Sequence, residues 1–210
     1  MGLRTNFYVD GFNLYYGLLK GEPGRKWLDL MLLAQTVRKR DHINRVRYFT
    51  ALVTPWPQDP HEPQRQLTYL RALKTLPNVD LHLGQYQLNS VRRMLVKPQP
   101  GQPLFLEVYD SKEKGSDVNL ATMLLCDATD REFEQAIVVS NDSDLALPIE
   151  KVRTKFGLKI GVLSPRPKVT ARLRLAASFC GALRGGAIEA SQFPNVMQDA
   201  HGTITKPEHW

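Results

Sequence analysis

Two cysteines in 210 residues, Cys126 and Cys180, are too few for a disulfide framework or a cysteine-rich zinc cluster. Both stand in apolar stretches that read as helical, so buried free thiols are expected. Histidine is nearly as scarce. His42, His61, His82, His201 and His209 show no close ligand spacing, which points to surface or structural roles rather than catalysis. No apolar run approaches the length of a bilayer span, so a cytoplasmic protein with no membrane partner is expected. No Gly-x-Gly-x-x-Gly follows the first apolar strand, which weighs against a dinucleotide site, and no internal repeat is present. Acidic residues are in the minority: 28 Lys and Arg against 21 Asp and Glu leave a formal charge of +7, which favours an anionic partner such as nucleic acid. Hydrophobic content of 42% and charged content of 23% are ordinary for one well-buried globular core.

The acids that are present are placed unevenly. Ala136-Ile137-Val138-Val139 reads as a strand buried on both faces, the habit of a central strand in a parallel sheet. It runs into Ser140-Asn141-Asp142-Ser143-Asp144. The first strand, Asn6 to Val9, likewise runs into Asp10-Gly11-Phe12-Asn13. Open α/β sheets bind ligands beyond the carboxyl ends of their strands, where these acids fall.

Between these landmarks, helical spacing predicts helices over 28–40 and 64–76, and strands over 45–53 and 79–83. The proline-rich loop PWPQDPHEPQ separates the second strand from its helix. Residues 86–96 read as irregular extended chain, 104–109 as the far arm of a hairpin-like insertion, and 112–117 as a charged turn. Helices over 117–128 and from Pro148 to Phe156, a strand over 158–163 and a helix over 169–179 follow. The polar segment from Ser191 onward reads as a loosely ordered tail or extension. Strands alternating with such helices specify a three-layer α/β/α fold around a mainly parallel sheet.

Asp117 falls above Leu120, Ala121 and Leu124 on a 3.6-residue helix, so it lies on the stripe facing the sheet, in the first turn. That turn shares an edge with the strand exits. Each acid has a plainer explanation: Asp117 as a dipole-favoured residue behind Ser116, Asp142 as a helix cap, Asp10-Gly11 as a turn with Asn13 as a cap. The coincidence of three segments delivering carboxylates to one edge favours a cation between them. Oxygen ligands without nearby histidine or cysteine suit Mg²⁺ or Mn²⁺. Such an ion can polarise a phosphodiester and activate water, which makes RNA a natural substrate for a basic chain.

The blocks VDGFNLYYG, EKGSDVNLATMLLCDA and AIVVSNDSDLALPIEKVRTKFGLKIGVLSP together resemble, in order and spacing, the NYN domains of the PIN-like nuclease superfamily. The resemblance implies a PIN-like domain over 1–185, with an insertion around 55–105 and a polar tail over 186–210. It implies a metal-dependent ribonuclease with Asp10, Asp117 and Asp142 as metal carboxylates and Asp144 as a fourth acid. By the same resemblance Asn13 orients Asp10 or contacts substrate, Ser140 lies beside the scissile phosphate, and Lys114 contacts a phosphate. The family's usual glycines around the acids are here Asn141 and Ser143.

Arg92, Arg93 and Lys97, and separately Arg166, Lys168, Arg172 and Arg174, are candidate phosphate contacts. Tyr15, Tyr16 and Trp56 can stack on unpaired bases, although tyrosines at helical spacing are more often core. The reading expected is a divalent-metal-dependent endoribonuclease. Its alternative is an RNA-binding module with little turnover, and self-association is left open. An aspartyl phosphotransferase wants a second acid two residues after Asp10, where this chain has Phe12.

Overall fold

The computed structural model describes residues 2–22, 24–208 and 210, so His209 lies outside it. Its centre is a seven-stranded sheet in the order β4-β3-β2-β1-β5-β6-β7. The strands are β1 (Arg4–Asp10), β2 (His42–Ala51), β3 (Val79–Met94), β4 (Phe105–Lys114), β5 (Gln135–Val139), β6 (Lys159–Ser164) and β7 (Phe179–Ala182). All neighbours pair in parallel except β3 and β4.

The chain first steps outward from β1 through β2 to β3, then returns and steps outward the other way from β5 to β7. Right-handed crossovers taken in opposite directions put their helices on opposite faces. Helices α1 (Gly11–Leu14), α2 (Leu30–Val37) and α3 (Glu62–Leu73) belong to the first set of connections. Helices α4 (Ser116–Thr129), α5 (Ala146–Thr154) and α6 (Ala171–Ala176) belong to the second. Strand alternation feeds both layers: Phe7, Val9, Ile137 and Val139 pack on one side. Tyr8, Ala136 and Val138 pack on the other, against Leu120 and Leu124 of α4 and Ile149 of α5. The expected three-layer, mainly parallel architecture is what the chain adopts.

Several local expectations change. Residues 86–96 are not irregular; β3 runs on without a break through Met94, trading its parallel partner β2 for the antiparallel β4 after Gly84. Lys112 to Lys114 belong to β4 rather than to a turn. The result is a two-stranded arm, 85–114, while α3 is a crossover helix and Val79 to Gly84 of β3 a parallel strand of the main sheet rather than insertion. The helix expected over 169–179 stops at Ala176, where the extended Ala177 leads into β7. Cys180 is therefore in a strand, and Cys126, expected to be buried, is exposed.

The segment after Ser191 is not a loose tail. After helix α7 (Gly185–Glu189), which packs Ile188 into the first layer, Phe193 and then Ile204 of the hairpin β8 (Val196–Asp199) with β9 (Gly202–Thr205) join the same layer. The segment covers Trp27, which is fully buried and whose indole N–H donates to Pro194 O at 2.9 Å. Arg71 of α3 forks onto Asp199 at 2.7 and 2.6 Å.

Candidate metal centre at the sheet seam

The outward progression of strands reverses between β1 and β5, which creates a crevice beyond their carboxyl ends. Asp10 is the last residue of β1 and Ser140 the first beyond β5. The two are joined directly: Ser140 Oγ donates to Asp10 Oδ2 at 2.8 Å, and Asn13 N–H donates to Asp10 Oδ1 at 2.9 Å. Asp142 N–H donates in turn to Ser140 Oγ at 3.0 Å, and Asp144 N–H to Asp142 Oδ1 at 2.9 Å. Asn13 Oδ1 accepts Asn141 N–H at 3.0 Å. The strand exits are thus stitched across the seam by side chains whose only local alternative is a turn.

The third segment arrives from the arm. Gly115, with φ of 98°, turns β4 into α4, and Ser116 N–H donates to Glu113 Oε1 at 2.9 Å. A side chain at Gly84 would strike Lys114 O at 2.6 Å, so the bare backbone of β3 lets this junction sit close against the sheet. Asp127, three turns along α4, holds the helix down. It accepts both Arg47 Nε and an Arg47 terminal nitrogen at 2.8 Å, and Tyr8 Oη at 2.6 Å.

The electrostatics follow from this assembly. Asp117 is pushed up to about 6, first by burial and then by the negative charge of Asp10, Asp142, Glu113 and Asp144. Asp10, only 5% exposed, is also raised by burial, against the pull of its hydrogen bonds from Asn13 and Ser140, with Asp142 and Glu113 adding to the rise. None of the five acids forms an ion pair among the described residues. Asp117 and Asp144 accept no hydrogen bond there either. Ser116 Oγ, beside Asp117, is buried with no partner among the described residues.

Among those residues no three His, Cys, Asp or Glu side chains are already gathered tightly enough to hold an ion. The carboxylates feel one another across the crevice without closing on a centre. A set of hard oxygen donors, uncompensated by any cation and with two members unrestrained, nevertheless fits a divalent ion in charge and chemistry.

The structure gathers Asp10, Asp117, Asp142, Asp144, Asn13 and Ser140. The Ser140 hydroxyl is fully buried and spent on Asp10 and Asp142, so it braces the acids. Lys114 is exposed at the root of the arm, opposite Gln85. Arg92 and Arg93 stand apart from the acids. They lie six and seven residues beyond Tyr86 on β3, about 20 Å out along the arm at strand rise. Arg92 rests over Phe105, and Arg93 pairs with Asp110 at 3.0 Å. The other basic set lies nearer, because Asn141 Nδ2 donates to Lys168 O at 3.1 Å and Thr170 N–H to Asn141 Oδ1 at 3.0 Å.

Glu113 was not singled out from sequence. Its signal was strand alternation: it shares a face of the arm with Tyr86 and Ser111, four residues before Asp117.

A family model described as the NYN domain matches residues 4–180. A protein from Pseudomonas putida (strain DSM 28022 / S16) named 6-hydroxy-3-succinoylpyridine 3-monooxygenase is 30% identical over 237 residues, spanning 99% of this chain and 75% of that protein. The crystal structure of a Vibrio parahaemolyticus protein of unknown function has the same fold, with a TM-score of 0.54 and 17% identity over 91% of this chain and 97% of the other. Among the described residues no helix is long and apolar enough to cross a membrane.

Proposed function

This chain belongs to the NYN domain family, of nuclease type and PIN-like fold, and from that premise we propose that it is a divalent-metal-dependent endoribonuclease. The observation that carries the proposal is the mutual influence of five acids around the β1/β5 seam, none of them paired with a Lys, Arg or His side chain among the described residues.

Asp10, Asp117 and Asp142 are the residues that would hold Mg²⁺ or Mn²⁺, with Asp144 and Glu113 beside them. A divalent ion bound there supplies Lewis acidity to a phosphodiester oxygen and lowers the pKa of a bound water. The protein's own part is positioning. Ser140 and the Asn13 amide fix both oxygens of Asp10, so its carboxylate cannot turn away when RNA arrives. Asp142 is held at one oxygen only, and Asp117 at neither, which leaves them able to close around an ion. Lys114, next to Glu113 and three residues before Asp117, and Lys168, whose carbonyl is bonded to Asn141, are the basic residues placed to take phosphates on either side of the scissile bond.

The test is cleavage of a mixed RNA pool across a metal series with a chelator control. Asp10→Asn and Asp142→Asn should each abolish Mn²⁺-dependent cleavage while keeping the fold. Undiminished cleavage by both variants would remove the proposal. Salt-dependent RNA binding with no cleavage in any metal would instead favour a binding module.

A second reading has one observation in its favour, that the Pseudomonas putida relative, which aligns with nearly the whole of this chain, is named a monooxygenase of a hydroxylated succinoylpyridine. Hydroxylation of such a pyridine acid by this chain, with one oxygen atom of O2 going to the ring and the other leaving as water at the expense of an added two-electron donor such as a reduced nicotinamide, would be seen as oxygen uptake dependent on both the acid and the donor. Its absence, alongside metal-dependent RNA cleavage, would leave the nuclease reading alone.

A further inference from the structure

Next to the acids lies a cavity of ≈ 390 Å³ that no step above uses. Its walls are unusually aromatic: Phe12, Tyr15, Tyr16, Trp56, Tyr86 and Trp210. The volume falls in the range of about 300–1,000 Å³ typical of small-molecule sites. The cavity opens from the catalytic seam itself, since Phe12 is two residues from Asp10 and Tyr86 lies opposite Glu113 in the β3/β4 ladder. Phe12 and Tyr86 present nearly parallel rings, 12° apart with centroids at 6.3 Å. The helix that starts at Gly11 passes into a π-helical turn, Tyr15–Leu19, which packs Tyr15 edge-on to Tyr16 at 5.2 Å. Trp56 is tied to the arm through Tyr109 at 6.1 Å.

Two cations mark the cavity. Lys20 Nζ lies 4.9 Å over the Tyr16 ring, and Lys26 Nζ lies 5.9 Å from the Tyr15 centroid and 5.7 Å from that of Trp210. Neither lysine has a carboxylate partner among the described residues. Arg65, by contrast, is neutralised by Asp59, and Glu62 adds one negative charge near Tyr15 and Tyr16, so the wall keeps a single net positive charge. Ring faces inside and unpaired ammonium groups beside them are complementary to a planar aromatic that carries a negative charge. An unpaired nucleobase with its backbone phosphate has that chemistry, and a strand lying along the acids would reach the cavity through Phe12.

We infer that this cavity receives one unstacked base of a single-stranded RNA, next to the phosphate at the seam, with Lys20 and Lys26 on that nucleotide's phosphate. The inference rests on the nuclease reading and adds a base-accepting subsite to it. Every nucleobase has a ring face, so the pocket gives grip and register rather than a base code. An internal duplex base pair could not enter, which makes the substrate single-stranded at this position.

The experiment uses the full chain and a short fluorescent single-stranded RNA, with affinity measured by anisotropy in chelator so that no cleavage occurs. Tyr16→Ala, at a residue 55% exposed, and Trp56→Ala should each weaken binding by about 5- to 150-fold. Their melting temperatures and Mn²⁺ titrations should match wild type. An abasic nucleotide walked along the RNA should reproduce the loss at one position, and there Tyr16→Ala should add nothing further. Unchanged affinity in both variants, with metal-dependent cleavage intact, would overturn the pocket and spare the nuclease. Tight binding of a pyridine carboxylic acid that RNA cannot displace would also overturn it, in favour of a small aromatic acid. Loss of cleavage in Asp10→Asn with normal anisotropy keeps the two readings separable.

Discussion

Replacing Asp117 with asparagine should make the metal-free protein more stable while removing its response to metal. Its carboxyl is raised from 3.8 to about 6 in the folded chain, because burial and four acidic neighbours oppose its charge. A carboxyl whose pKa rises on folding holds its proton more tightly in the folded state. The resulting penalty is absent below about pH 4, grows as pH rises from about 4 to 6, and is complete above that. A shift of about 2 units sets a ceiling near 3 kcal/mol, and half-exposure to solvent cuts it to about 1 kcal/mol. For a chain of this size that is about 2–4 °C in melting temperature. Thermal unfolding in chelator should therefore show Asp117→Asn melting above wild type at neutral pH and level with it below about pH 4. Saturating Mn²⁺ should reverse the order, since an ion at 100 times its dissociation constant adds about 2.7 kcal/mol to the wild type alone. A stability gap that ignores pH, or a variant that gains as much from Mn²⁺ as the wild type, would refute the electrostatic reasoning.

Three other outcomes follow from the packing. Asp127→Ala leaves Arg47 buried without its bidentate partner and should cost about 3–5 kcal/mol in denaturant unfolding, with metal affinity falling as the far end of α4 loosens. Ending the chain after Ala190 removes Phe193, Ile204 and the acceptor of the Trp27 indole. The loss should be about 4–9 kcal/mol by calorimetry, where a loose tail would give none. Gly11→Ala would bring a Cβ to 2.8 Å from Phe49 O and the Tyr48 hydroxyl, so about 1–3 kcal/mol of stability and most of the Mn²⁺ affinity should be lost together.

The sheet centre was legible because β5 carries the unbroken apolar run Ala136-Ile137-Val138-Val139, and β1 and β2 hold the shorter runs Phe7-Tyr8-Val9 and Tyr48-Phe49 among buried polar residues such as Asn6 and Arg47. Asp10, Asp117 and Asp142 were legible for a related reason: each lies where periodicity predicts an element boundary at one edge. The arm was not, since the alternation of Gln85-Tyr86-Gln87-Leu88 lasts only four residues before Asn89-Ser90 and Arg92-Arg93 break it, while antiparallel pairing supplies what composition does not. Glu113 went unseen for the same reason, having been assigned to a turn. β7 is four residues of Phe179-Cys180-Gly181-Ala182, whose small members carry almost no strand signal. The final hairpin contributes to the core through isolated side chains such as Phe193 and Ile204, too widely spaced for any period. The elevation of Asp117 belongs to no segment, because it is the sum of neighbours brought from distant parts of the chain.

The arm's tip, an exposed turn around Gly101, divides the chain in a useful place. A cut there would leave Asp10 on one piece and Glu113, Asp117, Asp142 and Asp144 on the other. The pieces meet along two ladders, β1 with β5 and β3 with β4. Each fragment would be silent by itself, and chemistry would return only when the two knit together, so this fold lends itself to a reporter of proximity between whatever is fused to its halves.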